Sequence, residues 1–92
     1  MIYARIEAFP NASSSERQRL GGALVNCWIK RDDIAEAVSI ARRMIAERGW
    51  YSETIEEARF CSRDEFPEEG REYFDQALTD EEVLVFYTHP HE

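Results

Sequence analysis

Apolar and polar residues alternate from Ile2 to Phe9: Ile2, Ala4, Ile6 and Ala8 fall in one phase, Tyr3, Arg5, Glu7 and Phe9 in the other. A period of two predicts a strand with one dry face and one mixed face. Pro10 has no N–H to give to a ladder and is expected to end it. The same period returns over Ala23–Lys30, with Ala23, Val25, Cys27 and Ile29 against Leu24, Asn26, Trp28 and Lys30. Residues 10–22 between them are small and polar and predict a flexible hairpin loop, with Gly21-Gly22 turning into the second strand. Within that loop, Ser13 and Glu16 have the spacing of a helix cap, and Arg17 and Arg19 make a small basic segment. Consecutive strands usually pair, so a hairpin is expected.

The period then changes to that of a helix over Asp32–Arg48. Ile34, Ala37, Val38, Ala41, Met44 and Ile45 form one stripe, and Glu36, Ser39, Arg42, Arg43 and Glu47 fall away from it. Asp33 with Glu36 three residues on is a capping-box spacing, and Gly49 follows Arg48 where a left-handed terminal residue is needed. Trp50–Phe60 reads as a third strand, parallel to the second. Its alternation changes phase midway, so a bulge is expected near Glu56-Glu57. After the connection Cys61–Pro67, Glu68–Leu78 predicts a shorter helix with Tyr73, Phe74, Ala77 and Leu78 as its apolar stripe, weakened by Gly70. Val83–Thr88 is a last strand, apolar in both phases, which argues for an interior or interface position. Residues 89–92 read as a tail.

The expected architecture is one α+β domain over residues 1–92, in the order strand, strand, helix, strand, helix, strand. A mixed four-stranded sheet with both helices on one face would cover every dry face found. That arrangement is a ferredoxin-like two-layer sandwich entered through a hairpin. It leaves the other sheet face open, carrying Tyr3, Arg5, Leu24, Asn26 and Trp28. Such an apolar patch suits an interface or a ligand face. A homodimer with Trp28 buried between subunits follows as an expectation.

Charge changes this picture in one respect. The chain carries a net charge of −8, with residues 1–52 at +2 and residues 53–92 at −10. Nucleic acid would be repelled by the acidic half. Glu68, Glu69, Glu72 and Asp75 at the start of the second helix form a candidate face for a basic protein partner. A solvated surface that confers solubility is the simpler account of the same residues. No apolar run approaches the ~20 residues that span a bilayer, and the first residues enter alternation directly, so no signal peptide is expected and a cytoplasmic location is.

Candidate chemistry is sparse. Cys27 falls on a dry face and reads as a small hydrophobe, while Cys61 precedes a possible helical turn whose dipole would lower its pKa; both are expected to be free thiols, and Cys61 an inert one. His89 and His91 beside Glu92 have the residue types of metal ligands but sit at a chain end, away from rigid elements. No glycine-rich phosphate loop, zinc spacing or nucleophile–base arrangement appears, so no catalytic residue, cofactor or metal site is assigned.

The runs Gly22-Ala23-Leu24-Val25-Asn26-Cys27-Trp28-Ile29, Arg48-Gly49-Trp50-Tyr51 and Ile55-Glu56-Glu57-Ala58, with the Ala-rich helix between the first two, resemble small uncharacterised bacterial proteins of about this length. That resemblance implies a bacterial, cytoplasmic, stand-alone domain and carries no activity with it. The expected function is therefore that of a non-catalytic oligomerising or interaction domain. An acidic, immunity-type partner of a basic protein and a small-molecule-binding domain are the alternatives.

Overall fold

The structure is a computed structural model that describes residues 1–11 and 20–90. The cap at Ser13, the basic pair Arg17 and Arg19, and His91 with Glu92 lie outside the described residues. Strands β1 (Ile2–Pro10) and β2 (Leu20–Ile29) are followed by helix α1 (Ile34–Glu47) and strand β3 (Trp50–Phe60). A single 3-10 turn over Arg63–Glu65 then leads to helix α2 (Glu68–Asp80) and strand β4 (Glu82–Pro90). This is the α+β element order read from the sequence. Gly21 and Gly22 belong to β2 rather than to a turn before it, and His89 and Pro90 belong to β4 rather than to a tail.

The hairpin forms as the alternation requires. Ile2 faces Ile29, Ala4 faces Cys27, Ile6 faces Val25 and Ala8 faces Ala23, so the dry phases of both strands share one side. They meet α1, whose Ala37, Ile40, Ala41 and Ile45 are buried against them together with Trp50. Ile40 belongs to this core although the sequence stripe omitted it, and Val38 is only half-buried.

The Glu36 amide donates to the Asp33 side chain at 3.0 Å, giving half of the capping box. The Glu36 carboxylate pairs instead with Arg31 at 3.2 Å. Gly49 ends the helix at φ +84°, a conformation that costs a residue with a Cβ about 1–2 kcal/mol.

Two expectations about the sheet are corrected. It is antiparallel throughout, in the order β3-β1-β2-β4, not mixed. β3 does run in the same direction as β2, but β1 lies between them and takes β3 as its antiparallel partner. The register along β3 shifts twice, opposite Arg5/Ile6 and opposite Glu7/Ala8. These shifts leave Glu56 and Glu53 without cross-strand partners, and the first is the bulge expected near Glu56-Glu57.

The second correction concerns the layers. α2 lies on the opposite face from α1, so the molecule has three layers, helix, sheet and helix, and not the two of a ferredoxin-like sandwich. The reason lies in β4, which is an edge strand and not an interior one. Leu84 and Phe86 complete the α1 core, while Val83 and Val85 point the other way, toward α2. Two apolar phases on one edge strand need two covers.

Candidate binding cleft

On the α2 side of the sheet, Tyr3 and Trp28 face each other across β1 and β2, with ring centroids 5.3 Å apart. The segment after β3 brings Phe66 onto both, at 5.3 Å from Tyr3 and 5.6 Å from Trp28. Tyr73 from the second turn of α2 closes on Trp28 at 5.2 Å. Each such aromatic pair contributes about 0.5–1.5 kcal/mol beyond its area. Behind them Ala77 and Val83 are buried, and Trp28 retains only 2% of its exposure. Gly70 lets α2 come this close: a Cβ there would stand 2.8 Å from Phe66 Cβ.

Between this cluster and the first turn of α2 is a cleft of about 280 Å³. Tyr3, Trp28, Phe66 and Tyr73 supply its aromatic wall, Tyr87 of β4 and Asn26 of β2 flank it, and Pro67, Glu69 and Gly70 form its edge. Glu69 is the one carboxylic side chain among the described residues of the lining. Its Oε1 accepts from the Tyr73 hydroxyl at 3.2 Å and from the Tyr87 hydroxyl at 3.1 Å. Burial first, and then the Glu69 carboxylate, push both phenols above their ordinary value. They are therefore protonated donors across the physiological range. The Trp28 indole N–H is buried without an acceptor among the described residues. An unpaired buried donor costs about 1–3 kcal/mol, a cost natural cores seldom carry away from working sites.

The five residues expected on an open sheet face divide. Tyr3 and Trp28 are covered by α2 and Phe66 of their own chain, which corrects the placement of Trp28 between subunits. Asn26 lines the cleft. Arg5 lies beyond it, paired with Glu56 at 3.2 Å and Glu57 at 3.7 Å, and Leu24 is half-buried opposite Glu7 and Tyr87.

The expected acidic face also divides. Glu69 turns to the cleft, and Asp75 holds Arg63 through both carboxylate oxygens at 2.8 and 3.0 Å. Glu68 and Glu72 stay exposed. Sequence reasoning missed Phe66, Pro67 and Tyr87. The signal that could have found them is the double apolar phase of β4, which implies a second covered face.

Around the rim, Arg59 stacks over Tyr3 with Cζ 5.3 Å from the ring centre and donates to Glu57 and Glu65. These hydrogen bonds hold the guanidinium protonated and keep the Glu65 carboxyl below the usual carboxylate range. Glu65 also accepts from the Ser62 amide at 3.2 Å, a capping-box contact at the start of the 3-10 turn.

Cys61 sits behind the cluster with its Sγ 3.6 Å from the Met1 carbonyl. A lowered pKa does not arise there: burial first, and Glu65 next, push the thiol up to about 11. At pH 8 its thiolate fraction is about 100-fold below that of an ordinary thiol, partly offset by the greater nucleophilicity of a more basic sulfur. Cys61 is expected to react with an aromatic disulfide reagent about tenfold more slowly than a free thiol at pH 8, the rate climbing with each pH unit toward 11. Cys27, fully buried and pushed up to about 12, should react only when the chain unfolds. A fast reaction of either thiol in the folded protein at pH 8 would contradict this burial.

His89 is exposed, and no three His, Cys, Asp or Glu side chains among the described residues are grouped as metal ligands. No helix among the described residues is long and apolar enough to cross a membrane. Compared with known proteins, the chain matches no family model, no curated protein and no solved structure.

Proposed function

We propose that this protein is a non-catalytic interaction domain that receives a side chain of a partner protein in the cleft beside α2. The cleft itself carries this reading: five aromatic side chains, those of Tyr3, Trp28, Phe66, Tyr73 and Tyr87, and one carboxylate converge on about 280 Å³. That volume lies just under the range of small-molecule pockets and suits a single side chain. Aromatic residues beside a polar rim are also the composition of interaction hot spots. The hydroxyls in the lining that sit beside a base are the phenols of Tyr73 and Tyr87 on Glu69, and burial and that carboxylate raise their pKa values, which suits binding better than nucleophilic or acid–base chemistry.

A photo-crosslinking residue in place of Asn26, at the flank of the cleft, tests the reading. In cells it should form an adduct with a partner protein, whereas the same residue in place of the exposed Arg43 on α1 should not. An adduct of twice the chain's mass would identify the partner as a second copy. No adduct from position 26, or equal adducts from both positions, would overturn the proposal.

A further inference from the structure

We infer that the side chain taken into the cleft is cationic, the guanidinium of an arginine, with Glu69 as its counter-charge. The inference rests on the interaction-domain reading and adds the chemistry of the occupant. Three observations converge on it. Glu69 Oε1 is held by two tyrosine hydroxyls, while its Oε2 has no partner among the described residues, so a fixed carboxylate presents one open acceptor.

The walls beside that oxygen are aromatic. A planar cation stacks on the faces of such rings, and guanidinium does so more often than ammonium. Tyr3 already carries one guanidinium, that of Arg59.

The charge of the surroundings is the third observation. Among the described residues no Lys, Arg or His lines the cleft, and Glu68 and Glu72 on the same helix have no ion-pair partner. Among the described residues, Arg5 is paired with Glu56 and Glu57 and Arg59 with Glu57 and Glu65, while the Arg71 guanidinium is turned to the Phe66 carbonyl at 2.8 Å. The positive end of the α2 dipole also faces this region and favours an anion. Glu68 and Glu69 in the first turn already answer it with two full negative charges.

The two tryptophans provide the assay. Trp28 walls the cleft, and Trp50 lies in the α1 core on the other face of the sheet, so their indole N–H resonances report site and control in one spectrum. The probes are three capped tripeptides, Gly-Arg-Gly, Gly-citrulline-Gly and Gly-Glu-Gly, of which citrulline matches arginine in shape without its charge. The arginine peptide should shift the Trp28 resonance saturably and leave Trp50 in place. The citrulline peptide should bind at least tenfold more weakly, and the glutamate peptide should not bind.

Glu69→Gln keeps an oxygen for the two tyrosines and lies at an exposed position. It should reduce the arginine peptide's affinity to that of citrulline. Equal binding of arginine and citrulline, binding of the glutamate peptide, shifts of both indoles together or no shift with any peptide would overturn the inference. A position-26 adduct obtained alongside any of these results would leave the interaction-domain reading standing while the cationic occupant fell.

Discussion

Trp28→Glu is expected to leave a chain that does not fold at 25 °C. The indole lies 5.2–5.6 Å, centre to centre, from the rings of Tyr3, Phe66 and Tyr73 and is 2% exposed. Removing a buried Trp side chain costs about 3–5 kcal/mol. A carboxylate in its place would be desolvated with no cation among the described residues of the cleft lining, adding several kcal/mol more or forcing its protonation. A domain of this size holds only about 5–15 kcal/mol in total.

Circular dichroism in the near ultraviolet should show the tertiary signal lost, and urea should give no cooperative transition. Leu24→Glu is the control: it lies on the same sheet face and is only half-buried, so this variant should fold. A stable, folded Trp28→Glu monomer would show that α2 does not cover the indole, and would return Trp28 to an interface between subunits.

Gly70→Val should destabilise the protein by about 3 kcal/mol, although helix propensity alone points the other way. Any residue except proline improves on glycine within a helix, by up to about 1 kcal/mol for alanine. Against this, a Cβ at position 70 would stand 2.8 Å from Phe66 Cβ and 3.2 Å from its Cγ, with no flexible chain end to give way. Overpacking of this kind costs about 1–3 kcal/mol, and a β-branched side chain lies at the upper end. The helix or Phe66 must move, and either movement separates the rings around Trp28.

For a domain of fewer than 100 residues the loss corresponds to a melting temperature lower by about 12–24 °C. An unchanged or raised melting temperature would mean that α2 packs elsewhere. By helix propensity Gly70 is a weakness of α2, whereas in the structure it is the point of contact with Phe66.

What was legible in the sequence was whatever a short stretch decides by itself. The Asp33 cap, the Gly49 stop, the hairpin faces from Ile2 to Ile29 and the phase change at Glu56 all follow from spacing, and all appear in the structure. The side of the sheet taken by α2 is not decided locally. Its partners come from β1, β2, β4 and the Phe66 segment, and β4 is apolar in both phases, so alternation on that strand cannot choose between the faces.

The cleft was half legible for the same reason. Strand phase puts Tyr3, Asn26 and Trp28 on one face together with Arg5 and Leu24, which lie outside the lining, and spacing gives Glu69 only as one acid among several. What separates Glu69 from Glu68 and Glu72 is the pair of hydroxyls from Tyr73 and Tyr87, the second of them 18 residues away in sequence.

The two register shifts in β3 bear on how copies of this chain can meet. β3 is an edge strand, and an edge with a continuous row of free amides and carbonyls is a template on which another sheet can grow. Here the row is broken at two places, and each break bends the strand away from the straight line a docking strand would need. The residues at and beside the breaks are Glu53, Glu56 and Glu57, so two such edges laid together would bring like charges face to face. The sheet is in effect closed to lengthening at β3.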